Sequence, residues 1–132
     1  MPKGSNAFLN VSNCTISGNS SDFGGGISNN FGSTLTITDS TIVRNASRYG
    51  GGVANQNGSA SMGNSIVADN SARSGTSPDY FNTLNSLGYN LIENTANTII
   101  SGVTTGFENG VRRNFYPFVV GSCKKDINDF LA

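Results

Sequence analysis

At 132 residues the chain has room for one domain. Its formal net charge of zero and 12% charged residues exclude the clustered Lys and Arg that phosphate recognition needs, so no nucleic-acid partner is expected. With no histidine, and with Cys14 and Cys123 far apart, most zinc sites and redox pairs fall away too.

Residues 1–13 (MPKGSNAFLNVSN) contain no apolar core of signal-peptide type. From Phe8 onward the chain repeats itself. FLNVSNCTISGNSSDFGGGISNNFGS (8–33) lies over TLTITDSTIVRNASRYGGGVANQNGS (34–59) without a gap, identical in 11 of 26 columns. A third copy, one residue shorter, runs from 60 to about 85 and sets Val67 under Ile42 and Asn70 under Asn45. A degenerate copy covers 86–106, which makes 1–106 the repeat region. Residues 107–132 carry no repeat and read as a cap or an altered C-terminus, with a short helix expected over KKDINDFLA (124–132). The longest apolar stretch, FYPFVVG (115–121), is far too short to cross a bilayer, so no membrane insertion is expected.

A repeat of this length is a solenoid signature. Inside each copy the period is that of strands. Leu35 and Ile37 alternate with Thr34, Thr36 and Thr38, and Leu9 and Val11, then Ala60 and Met62, hold the same phase. A second strand contains Ile16, Ile42 or Val67, and a third contains Ile27 or Val53. Asn, Gly, Ser and Asp fill the turns between them, where positive φ is tolerated. The expected fold is all-β: a short right-handed parallel β-helix of about three to four coils with an irregular C-terminal tail. Stacking would pile Leu9, Leu35 and Ala60 into one inner column, Val11, Ile37 and Met62 into another, and Ile16, Ile42 and Val67 into a third. Asn19, Asn45 and Asn70 would form a side-chain ladder in one turn. Gly24, Gly25 and Gly26, repeated as Gly50, Gly51 and Gly52, would mark a corner where neighbouring coils leave no room for side chains.

ISGN (16–19), IVRN (42–45) and VADN (67–70) resemble the FxxN element of polymorphic-outer-membrane-protein repeats, with Ile or Val in place of Phe, and GGGI (24–27) and GGGV (50–53) resemble their GGAI element. The chain is similar over residues 8–106 to bacterial right-handed β-helix repeat proteins of surface or adhesin type, and SLGYNLIENTANTIISG (86–102) looks like the unit that follows their last copies. This resemblance implies a non-catalytic structural or adhesin-like module, located at the cell surface or outside the cell, from a bacterial source. The family continues towards a DPxLGPL-like segment, and the tail FENGVRRNFYPFVVGSCKKDINDFLA departs from it, as a fragment with a frameshifted end would.

Parallel β-helices also carry polysaccharide lyases and hydrolases, which need clustered carboxylates. Here Asp22, Asp39, Asp69, Asp79, Glu93, Glu108, Asp126 and Asp129 form no DD or DxD motif and read as turn or surface residues, so no catalytic residue, metal ligand or cofactor is assigned. GGGISNN and GGGVANQ lack the Asp of calcium-binding nonapeptides, and no Gly-Lys-Ser/Thr follows them to hold a phosphate. The threonine row Thr34, Thr36, Thr38 stacks on Phe8, Asn10 and Ser12, so no repeated ice-binding face is expected. Phe23, Tyr49, Tyr80, Phe81 and Tyr89 could stack on sugars, which makes a carbohydrate-binding module the alternative, although Phe23 and Tyr49 share one column and are read as packing between coils. Candidate partners are therefore surface glycans, or a second chain at the exposed coil ends. Cys14 is expected as a small buried thiol.

Overall fold

In the computed structural model, which describes residues 6–106 and 108–109, the chain winds as a parallel β-solenoid of about three turns. The tail, including the expected helix over 124–132, lies outside the described residues. The first coil holds β1 (Phe8–Ser12), β2 (Thr15–Ser17) and β3 (Ile27–Asn29). The second holds β4 (Thr34–Thr38), β5 (Thr41–Val43), β6 (Ala46–Ser47) and β7 (Val53–Asn55). The third holds β8 (Ser59–Gly63), β9 (Ile66–Ala68), β10 (Ser71–Ala72) and the opening of β11 (Tyr80–Gly88), which turns the corner into the next coil. Then follow β12 (Leu91–Ile92), β13 (Thr98–Val103) and β14 (Glu108–Asn109). Among the described residues there is no helix.

Each strand pairs in parallel with its counterpart one coil away. One face stacks β1, β4, β8, β11 and β13, a second stacks β2, β5, β9, β12 and β14, and a third joins β3, β7 and the start of β11. Because alternate residues of a strand point to opposite sides, a register held over several coils turns sequence identity into continuous columns. Leu9 pairs with Leu35 and Leu35 with Ala60; Val11 pairs with Ile37 and Ile37 with Met62; Ile16 pairs with Ile42 and Ile42 with Val67. The inner side chains Leu35, Ile37, Ile42, Val53, Met62, Val67, Tyr80, Leu84 and Ile92 close into one core. Ile66, Ala68 and Leu91 form a smaller apolar cluster on the other side of the second face.

The turns repeat as faithfully as the strands. Asn13, Asp39, Asn64 and Tyr89 all have φ between 49° and 56°, so one left-handed residue closes each first turn. Asn and Asp accept that conformation through local side-chain bonding, whereas Tyr89 carries the usual steric cost of about 1–2 kcal/mol.

The fourth winding breaks the period. β11 is offset from β8 by 24 residues at Asn85/Ser61 and by 25 at Gly88/Gly63, so Leu87 is an extra residue at a bulge and is left exposed. Past β12 the chain skips the corner and the third face, because Asn82 pairs with Thr98 only 16 residues on.

Candidate functional site

The polar chemistry of the molecule is concentrated at the coil corners. In the second turn, the backbone N–H and Nδ2 of Asn19 both donate to Oδ1 of Asn45, at 3.0 and 3.2 Å. Asn45 repeats this toward Asn70, at 2.9 and 3.1 Å, and its Nδ2 also reaches the carbonyls of Ile16 and Val43. The three asparagines are one ladder with one direction: each rung donates its backbone N–H and an Nδ2 bond to the Oδ1 of the next rung toward the C-terminal end, so Oδ1 faces the N-terminal end.

The next rung is not an asparagine. Asp79 Oδ1 accepts from the N–H and Nδ2 of Asn70, at 3.2 and 2.9 Å, and Oδ2 accepts from the N–H of Asn94 at 2.9 Å. The shortened fourth winding brings no asparagine side chain to Asn70, and Asp79, at the corner of the third coil, fills the place. An aspartate suits the position because both of its oxygens meet donors, whereas an Asn amide would set one N–H against another. Asp79 lies in the corner bend, as expected of a turn residue, but is 1% exposed, which corrects the expectation of a surface carboxylate. Burial raises its pKa to about 7, Glu93 adds to the rise, and the bonds from Asn70 and Asn94 oppose it.

The glycine column belongs to the same device. A Cβ on Gly26 or Gly52 would stand 3.1 or 2.8 Å from Nδ2 of Asn45 or Asn70, besides pressing on a backbone oxygen of the next coil. Gly25 and Gly51 are tighter still: a Cβ would come within 2.5 Å of Gly51 O, or of Pro78 O. Gly24 and Gly50 supply the left-handed turn, at φ 61° and 62°, with Ser77 at φ 54° beneath them. In the third coil Ser77-Pro78-Asp79 replaces the triplet, because no asparagine lies below it and a side chain has room to enter.

Two further columns went unread in the sequence. Cys14 N–H donates to Ser40 Oγ, Ser40 N–H to Ser65 Oγ and Ser65 N–H to Asn90 Oδ1, each at 3.1 Å. Cys14 is exposed, not buried, because it tops this column on the end coil; its thiol donates to Ser12 O as the Ser40 and Ser65 hydroxyls do to Thr38 O and Gly63 O. On the third face Asn29 Nδ2 donates to Asn55 Oδ1 at 3.0 Å, and Asn55 Nδ2 to Thr83 O at 2.9 Å. Their only sequence trace was that Asn29 and Asn55, like Cys14, Ser40 and Ser65, occupy equivalent repeat positions.

On the outer surface, Phe23 and Tyr49 stack with centroids 5.3 Å apart, and Tyr49 meets Phe81 at 6.0 Å. These rings use their faces on one another. Tyr80 is fully buried, so it is unavailable to a sugar, while Tyr89 is exposed. Beside the stack lie two open depressions of ≈ 470 and ≈ 480 Å³, lined by Ser21, Asp22, Ser47, Arg48, Tyr49 and Arg73. Arg73 pairs with Asp22 at 3.6 Å, both largely solvated, so the pair is a weak tie.

As an acid–base centre the corner is poorly built. Among the described residues Asp79 is the one carboxyl with a displaced pKa, and a displaced carboxyl beside a second one, here Glu93, is the usual mark of such a centre. Yet both Asp79 oxygens are occupied, Glu93 accepts from the N–H of Asp69 at 2.8 Å, and neither lines the depressions. No group of three or more metal-ligating side chains occurs among the described residues. Among them no helix is long and apolar enough to cross a membrane. The chain matches no family model, and no curated protein or solved structure is significantly similar to it.

Proposed function

We propose that the protein is a non-catalytic structural module of adhesin-like type, from a bacterial surface or secreted protein built of polymorphic-outer-membrane-protein-like repeats. One observation supports this reading above the others: the polar side chains capable of chemistry, from Asn45 and Asn70 to Asp79 and Asn90, are engaged in holding one coil to the next. A catalytic β-helix keeps such groups free at a cleft. A surface location outside the cell follows from the repeat resemblance and is part of the same proposal.

A carbohydrate-binding module is the second reading. The depressions beside Tyr49 favour it, since Arg48, Arg73 and Asp22 offer hydrogen-bonding groups next to an aromatic edge. The mutual stacking of Phe23, Tyr49 and Phe81 weighs against it, since it covers ring faces that a sugar would use and leaves the end ring Phe23 only partly exposed. A glycan array with the protein and its Arg73→Ala variant separates the two. The structural reading expects no glycan signal that depends on Arg73. A defined glycan bound by the protein and lost in the variant would replace it with the second reading. Incubation with polysaccharides should release no new reducing ends or unsaturated products, and a product lost in Asp79→Asn would overturn both.

A further inference from the structure

The two ends of the solenoid differ in chemistry as well as in shape. At the C-terminal end the Asn ladder closes on Asp79, and the short fourth winding is tied down by Ser77 Oγ donating to Ala96 O and Thr98 Oγ1 donating to Tyr80 O. At the N-terminal end the ladder stops open. Asn45 Oδ1 receives two donors from the coil before it, and Asn19 Oδ1 receives none among the described residues. The third face repeats the pattern: Asn55 Oδ1 accepts from Asn29 Nδ2 and Gly58 N–H, while Asn29, only 4% exposed, has no donor to its own Oδ1 among the described residues. Buried amide oxygens are ordinarily satisfied, so that of Asn29 marks a place for a neighbour, while the oxygen of exposed Asn19 faces solvent at the same end.

The apolar columns agree. Leu9 is 48% exposed where Leu35 below it is fully buried, and Phe8 and Phe23 are exposed at the top of theirs. Phe23 stacks on Tyr49 with one ring face and leaves the other open. Among the described residues the β1 edge pairs only with β4, so half of its backbone groups have no strand beside them.

We propose that this end is a docking surface for one more solenoid coil running in the same chain direction, with an asparagine at the ladder position whose N–H and Nδ2 donate to Asn19 Oδ1. Polarity selects that occupant. A second copy of this chain placed head to head would set Asn19 Oδ1 against Asn19 Oδ1. Placed head to tail, it would offer a winding that lacks the asparagine and whose donors are already held by Asp79. Cys14 is the weak point of the surface, since its sulfur is a poorer acceptor than the Ser40 hydroxyl below it.

The test inserts a second copy of residues 34–59 between Ala7 and Phe8 of the full chain, which keeps the 26-residue register of Phe8 on Thr34. Amide hydrogen exchange and thermal unfolding are then compared with the parent chain. A control insert carries Asn45→Asp in the added copy alone, which removes the Nδ2 donor and sets oxygen against oxygen. The proposal expects exchange of the outward β1 amides to slow at least ~10-fold and the unfolding temperature to rise, with both gains reduced in the control. Unchanged β1 exchange, or equal gains from the control, would overturn it. Sedimentation of the parent chain covers the other occupant: a concentration-dependent dimer with protected β1 amides would show that a second copy docks there.

Discussion

The second and third coils turn the same corner with different residues. One uses Gly50-Gly51-Gly52 and the other Ser77-Pro78-Asp79, yet both strands that follow, at Val53 and Tyr80, stay in register. Their difference shows what the glycines are for. Only the first corner position needs a left-handed backbone, and there Ser77 adopts it as Gly24 and Gly50 do. The second and third positions are glycine because a neighbouring coil occupies the space. Once the coil below is shortened, a proline and an aspartate fit, and the aspartate does the work of the missing asparagine.

The largest expected effect that sharpens this comparison is the pH dependence conferred by Asp79. Its pKa is raised in the folded state from 3.8 to about 7, so the folded protein binds the proton more tightly than the unfolded chain. That contribution is fully present below the unfolded value and is lost as pH rises through the folded one. The loss amounts to as much as ~4 kcal/mol between about pH 4 and pH 7. Urea unfolding of the protein and of Asp79→Asn across that range should show the wild type losing stability relative to the variant as pH rises. A difference that is constant with pH would count against the buried carboxylate.

Next in size is Gly51→Ala, which drives a Cβ against Ser71 O and Pro78 O in the adjacent coil. A clash with backbone on two sides should cost about 3 kcal/mol. Gly18→Asn, at φ 72° with open space around it, should cost less than about 1 kcal/mol. Equal losses by chemical denaturation would mean that backbone conformation, not crowding, selects the glycines. Asn45→Ala should cost about 2–3 kcal/mol, because it strips donors and acceptors from both neighbouring coils, and Asn19→Ala, at the solvated end, about 1 kcal/mol. The smallest effect is expected from Cys14→Ser, within about 0.5 kcal/mol, since a hydroxyl there repeats the Ser40 bond to the preceding strand.

Much of the fold was legible because a solenoid writes its contacts into its period. Leu35 over Ala60 and Asn45 over Asn70 are adjacent in space because they are equivalent in sequence. What escaped was whatever broke the period. Asp79 has no counterpart in the copies above, and its burial comes from the winding below it being cut short, which pairing of Asn82 with Thr98 reveals and residue type does not. Cys14 looked like a core thiol because a free cysteine is usually buried, but its place on the end coil leaves it exposed. Tyr80 looked available to a ligand until its place beneath Val53, inside the core, was known.

Asp79 ends the asparagine ladder as a buried side chain that accepts from Asn70 and Asn94. The most direct test of this is an NMR titration that follows the Asp79 carboxyl carbon together with the amides of Asn70 and Asn94. The account predicts a carboxyl midpoint near 7, with the Asn70 backbone and side-chain amides and the Asn94 amide shifting along the same curve. A midpoint in the ordinary carboxylate range near 4, with those three amides unmoved, would contradict it.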